Sequence, residues 1–124
     1  MNARPLVMVV DDDADIRDAV ADVLADEGYP VEMAGNGREA LNALTARRSK
    51  PGLILLDLMM PELDGWGLMA ELEKHPELSS IPIIVFSAQG VSAETVESLR
   101  VCGFLRKPLR LQDLLDVVGR CAVI

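Results

Sequence analysis

Two adjacent carboxylates, Asp11 and Asp12, follow an apolar run from Leu6 to Val10, and a third, Asp57, closes a second run, Leu53 to Leu56. A hydroxyl, Ser87, follows the run from Pro82 to Phe86, and an ammonium, Lys107, comes shortly after Phe104-Leu105. Carboxylates gathered in one place repel, and one of them would be forced to keep a proton unless a counter-ion joined them. A hard divalent cation resolves the conflict: magnesium takes oxygen ligands, keeps several waters, and sits readily between carboxylates and a phosphoryl group. Ser87 offers a hydrogen-bond donor, and Lys107 a compact positive charge able to offset negative charge added to Asp57. Together the groups suit phosphoryl transfer, with the Asp57 carboxylate as nucleophile and the metal shielding its oxygens from the incoming phosphate.

Taken singly, each of these residues has a plainer explanation. Asp11 to Asp13 could be a helix cap with solvated acids in the first turn. Asp13 is assigned that role and Asp15 needs none beyond solvation. Lys107-Pro108 could be only a turn, since proline disfavours helix at the residue before it. Ser87 could satisfy a local backbone group. The ordering of the groups along the chain is what gives them joint meaning, and that depends on the elements that carry them.

The apolar runs are continuous rather than alternating, as expected for strands covered on both faces. Shorter strands are expected near Val31 to Ala34 and Phe104 to Leu105. Ile16, Ala19, Val20, Val23 and Leu24 fall on one helical stripe that should stop near Gly28. A second helix should begin with Asn36 as its cap, and a third runs from about Gly65 to before Pro76. A fourth starts near Ser92, and the last carries Leu111, Leu114, Leu115 and Val118. Five strands alternating with five helices imply a parallel sheet with right-handed crossovers, a doubly wound α/β domain. In such sheets, ligands bind outside the carboxyl ends of the strands, where the candidate groups lie.

With 124 residues, the chain fits one domain spanning 1–124, and no output domain is expected in it. Half of the residues are apolar, about a quarter are charged, and the formal charge is −8. That balance disfavours attraction to nucleic-acid phosphates. No apolar run approaches the roughly 20 residues that cross a bilayer, and no leader pattern is visible, so a cytoplasmic location is expected. In that setting Cys102 and Cys121 are expected to be free thiols, buried or half-buried.

The motifs Val9-Val10-Asp11-Asp12-Asp13, Leu55-Leu56-Asp57-Leu58-Met59-Met60-Pro61-Glu62-Leu63-Asp64-Gly65, Phe86-Ser87-Ala88 and Lys107-Pro108 resemble, in this order, those of bacterial two-component response-regulator receiver domains, notably the chemotaxis type. The resemblance covers essentially the whole chain. It implies a flavodoxin-like (βα)5 fold with strand order 2-1-3-4-5. Asp57 is then the phosphoacceptor, and Asp11, Asp12, Asp57 and the backbone carbonyl of Met59 hold magnesium, for which manganese can substitute. Ser87 is the phosphate-sensing hydroxyl, Lys107 the phosphate-binding lysine and Phe104 the aromatic switch. Met59 and Gln89 tune dephosphorylation, which an apolar Met59 should leave slow. The implied partners are a sensor histidine kinase or histidine phosphotransfer protein as donor, a downstream protein target of unknown identity, and a second copy in a phosphorylation-dependent homodimer. No nucleic-acid or membrane contact through this domain is expected. The resemblance describes a regulatory phosphoacceptor that assists its own phosphorylation and dephosphorylation, not a turnover enzyme.

The chain departs from the family pattern between Ser87 and Lys107, where Val101-Cys102-Gly103 replaces the familiar Ala-Gly-Ala-Asp-Asp, and at Arg110, where a small or acidic cap is usual. Two rival readings follow. A small aspartyl-phosphate phosphatase would need a second aspartate where Met59 stands, as its general acid. A receiver-like module that binds partners without phosphorylation would not require this full set of acceptor residues.

Overall fold

Every residue of the first strand, β1 (Val7–Val10), is buried, and so is every residue of β3 (Leu53–Asp57) and β4 (Ile83–Ser87). Successive strand side chains point to opposite faces, so a strand with no polar side must be covered twice. In the computed structural model, which describes residues 4–46, 51–87 and 101–122, this is the arrangement found. Met8, Val10, Ile54, Leu56 and Val85 enter one core, while Val7, Val9, Leu53, Leu55, Ile84 and Phe86 enter another.

The sheet is completed by β2 (Val31–Ala34) and β5 (Gly103–Arg106). Its order is β2-β1-β3-β4-β5 and every pairing is parallel, as the resemblance implied. Helices α2 (Gly37–Ala46), α3 (Gly65–Glu73) and the single turn α4 (Pro76–Ser79) supply the first core; α1 (Ala14–Asp26) and α5 (Leu111–Cys121) supply the second. The turn α4 was not anticipated, because four residues are too few to show a helical period; Leu78 alone anchors it. The fourth helix expected near Ser92 lies outside the described residues.

Local chemistry accounts for the helix ends. Asp13 Oδ1 accepts from the amides of Asp15 (3.0 Å) and Ile16 (3.3 Å), the capping role expected for it. Asn36 Oδ1 accepts from the Glu39 amide at 2.8 Å. The chain leaves α1 through Gly28 at φ 90°, a left-handed conformation that glycine adopts without a Cβ clash. Two apolar positions differ from expectation: Ala19 is exposed and Ala21 is buried in its place, because the inward face of α1 centres on Val20, Ala21 and Leu24. Leu111, in the first turn of α5, is 56% exposed.

The expected free thiols are corrected by the structure, which joins Cys102 to Cys121 in a disulfide, with Cα atoms 5.9 Å apart. Cys102 sits at the entrance to β5, and α5 packs across β4 and β5 so that its last residue arrives above that entrance. A cytoplasmic setting argues for free thiols, but the proximity of the two cysteines comes from helix–sheet packing, which no spacing of 19 residues reveals. No helix among the described residues is long and apolar enough to cross a membrane.

Candidate functional site

The register of the parallel ladder decides which residues meet. Val10 pairs with Leu56, so Asp11 and Asp57 stand one step beyond it on neighbouring strands. Asp57 pairs in turn with Phe86, and Ser87 with Arg106, which puts Ser87 and Lys107 at the same carboxyl edge. The Lys107 amide donates to the Ser87 carbonyl at 2.8 Å, tying the last two strand ends together.

At this edge the carboxylates of Asp11, Asp12 and Asp57 converge, one oxygen from each lying within 4.8 Å of the other two. Asp11 and Asp57 are buried, at 0% and 3% exposure, whereas Asp12 is exposed. The Lys107 ammonium reaches across to both buried acids, 3.0 Å from Asp11 Oδ2 and 3.2 Å from Asp57 Oδ2. It also lies 5.2 Å from the centre of the Phe86 ring. Three carboxylates against one ammonium leave a formal charge of −2 at the site if all are ionised.

The energetics follow from that imbalance. Burial first, and the Asp11 charge second, push the Asp57 carboxyl up to about 6, although the Met59 amide and Lys107 pull the other way. Lys107 is itself partly desolvated, which lowers its pKa, but Asp11 and Asp57 outweigh this and raise it above its usual value. The donors are hard oxygens, two buried and one facing solvent, so a divalent ion held here would keep waters on the Asp12 side. The residues therefore fit a magnesium-type ion.

Three supporting contacts escaped the sequence reading. Arg17 Nη1 donates to the Asp11 backbone carbonyl at 2.9 Å, and the Asp13 amide donates to Asp11 Oδ1 at 2.9 Å, so α1 braces the first acid. The Met59 amide donates to Asp57 Oδ1 at 3.2 Å. Gly65 begins α3 so close beneath β3 that a Cβ there would lie 2.7 Å from the Asp57 carbonyl and 2.8 Å from Leu58 Cα. The loop before it turns through Glu62 at φ 67°. An Asp-Gly pair at a helix start hints at a cap but not at this close approach; Arg17 leaves no sequence signal at all.

The remaining predicted residues fall as follows. Ser87 is fully buried, and its hydroxyl has no hydrogen-bond partner among the described residues. Phe104 is half-buried, packs against the first core, and carries the Arg106 guanidinium 5.2 Å from its ring centre. Met59 is 62% exposed. Trp66 packs partly against the first core, and His75 is half-buried, 3.8 Å from Glu77. Gln89 lies outside the described residues.

A doubly wound parallel sheet with acids and a lysine at its carboxyl edge describes a class of domain, and comparison with known proteins identifies the family. Residues 7–119 match the response regulator receiver domain, and the chain belongs to that family, the receiver domains of two-component systems. It is 41% identical over 115 residues to a probable transcriptional regulator, ycf27, of Pyropia yezoensis, covering 91% of this chain and 45% of that protein. The chain spans about half the length of the curated relatives it matches. Among solved structures, a response regulator receiver protein from Pseudomonas putida superposes with a TM-score of 0.84 at 32% identity, covering 97% of this chain and 99% of that one. The chemotaxis protein CheY4 of Vibrio cholerae gives 0.84 at 30%, covering 96% and 99%.

Proposed function

We propose that this chain is the phosphoacceptor switch of a His-to-Asp phosphorelay, phosphorylated on Asp57 with magnesium bound by Asp11, Asp12, Asp57 and the Met59 carbonyl. The observation that carries the proposal is Lys107 bridging Asp11 and Asp57, with Asp12 alongside, at the carboxyl edge of the sheet. That geometry holds a carboxylate nucleophile next to a cation able to receive the charge of a phosphoryl group.

In this reading an Asp57 oxygen attacks the phosphorus of a phosphohistidine on a sensor kinase or phosphotransfer protein; the new O–P bond forms as the N–P bond breaks, and the imidazole leaves. When bound, the metal neutralises the carboxylates and the phosphoryl oxygens as they approach. Lys107 exchanges part of its contact with Asp57 for a phosphoryl oxygen, retaining Asp11 as its anchor. The Ser87 hydroxyl, without a partner among the described residues, engages a phosphoryl oxygen, and that engagement biases β4, β5 and Phe104 toward a second arrangement read by a downstream protein. The role is regulatory: the phosphoryl group is held as a signal rather than turned over as a substrate.

The test is intact mass after incubation with acetyl phosphate, with and without magnesium, on wild type and on Asp57→Asn. An adduct that requires magnesium and is absent from the variant is the expected result. No adduct on a folded wild-type chain overturns the reading and favours a module that binds without phosphorylation.

A further inference from the structure

The Cys102–Cys121 bond lies away from the acidic site and has no part in the chemistry above. Its two halves differ in access: Cys102 is exposed, while Cys121 is 6% exposed within the second core beside Val117 and Val118. It joins the entrance of one element to the exit of another, since Cys102 precedes Gly103, the first residue of β5, and Cys121 ends α5. The two elements are already close there. A Cβ at Gly103 would lie 2.6 Å from Val117 Cγ1 and 3.8 Å from Cys121 Sγ, so the absence of a side chain at 103 lets the end of α5 settle onto the strand. Beyond the bond, the same two elements form a groove lined by Phe104, Arg106, Asp113, Asp116, Val117 and Arg120.

We propose that Cys102–Cys121 is a reversible thiol–disulfide exchange site, open to dithiols from the Cys102 side, and that it latches the last turn of α5 to the start of β5. The reaction balances without any other reagent. A dithiol's thiolate attacks the sulfur of Cys102, the exposed residue of the pair, forming a mixed disulfide and expelling Cys121 as thiolate, which takes up a proton. The second thiol of the reagent then displaces Cys102, leaving two protein thiols and one oxidised, disulfide-form reagent. The oxidised reagent closes the latch by the reverse path. This proposal does not depend on phosphorylation of Asp57, and its test can fail or succeed independently of that reading.

The experiment uses the wild-type chain equilibrated with either oxidised or reduced dithiothreitol under native conditions, then alkylated and weighed. The oxidised sample should take up no alkyl group after denaturation, and the reduced sample should be alkylated at both cysteines while keeping its far-ultraviolet circular dichroism. Hydrogen exchange should quicken in residues 103–106 and 114–121 on reduction, and the melting temperature should fall by about 10 °C. Returning the reduced chain to oxidised dithiothreitol should restore both. The double variant C102S/C121S should melt near the reduced wild type and ignore the reagent. Alkylation of both cysteines in the oxidised sample overturns the proposal, as does a bond that yields only when the whole domain unfolds. Reduction that leaves hydrogen exchange and melting unchanged also overturns it.

Discussion

Asp57, the proposed nucleophile, sits in surroundings that disfavour its charged form. Its carboxyl is raised from 3.8 to about 6 by burial and by Asp11. Between those values the folded chain holds more protons than the unfolded one, so metal-free stability falls as pH rises from about 4 to about 6, and the deficit persists above that. With a chelator present, Asp57→Asn should therefore be more stable than wild type at pH 7, by up to about 3 kcal/mol, with the difference closing toward pH 4. Urea titrations across this range check the prediction, and an advantage that does not shrink in acid would sink it. Ser87 offers a second contrast, because its buried hydroxyl has no partner to lose among the described residues. Ser87→Ala should change stability by no more than about 1 kcal/mol, because it removes no hydrogen bond among the described residues. On the proposed switch, phosphorylation shifts the nuclear magnetic resonance signals of Phe104 in wild type, and Ser87→Ala should abolish that shift. A large loss of stability would mean the hydroxyl is structurally engaged.

Elements, rather than single residues, decide how well these groups are aimed. The start of α3 lies against the end of β3 at Gly65, with only 2.7 Å between the place of a Cβ and the Asp57 carbonyl. Gly65→Ala must push the helix and strand apart, so it should cost about 1–3 kcal/mol and slow labelling by acetyl phosphate, although alanine is the better helix former. Thermal unfolding and adduct formation over time measure the two effects; unchanged values in both would show that the joint is slack. The strand-end acids could be read from the sequence because each directly follows an apolar run, and a parallel sheet brings such ends to one edge. The contribution of Gly65 could not, since it lies in a missing atom and a distance between elements. The Cys102–Cys121 bond escaped for a similar reason: it depends on where α5 lands on β5. The turn Pro76–Ser79 escaped through brevity, and Ala19 and Ala21 through the small rotation that sets which side of α1 faces inward.

At the scale of the whole molecule, the net charge of −8 is concentrated in part at one edge, where three carboxylates face one ammonium. A divalent cation that binds the folded chain alone stabilises it by mass action, about 2.7 kcal/mol at a hundredfold excess over its dissociation constant. Magnesium should accordingly raise the melting temperature of wild type, and Asp12→Asn should weaken that response without unfolding the chain, because Asp12 is exposed. Sodium chloride of matched ionic strength is the control; an equal rise with sodium chloride would reduce the effect to general screening. The sheet also divides the molecule into two separately packed interiors, one holding Leu72 and the other Val118. Damage to one interior therefore has no direct contact through which to aggravate damage to the other. The destabilisations of Leu72→Ala and Val118→Ala should sum in the double variant to within about 0.5 kcal/mol. In evolutionary terms the sheet is a partition against epistasis: either side of the domain can drift in sequence while the other, and the acidic edge between them, keeps its own tolerance for change.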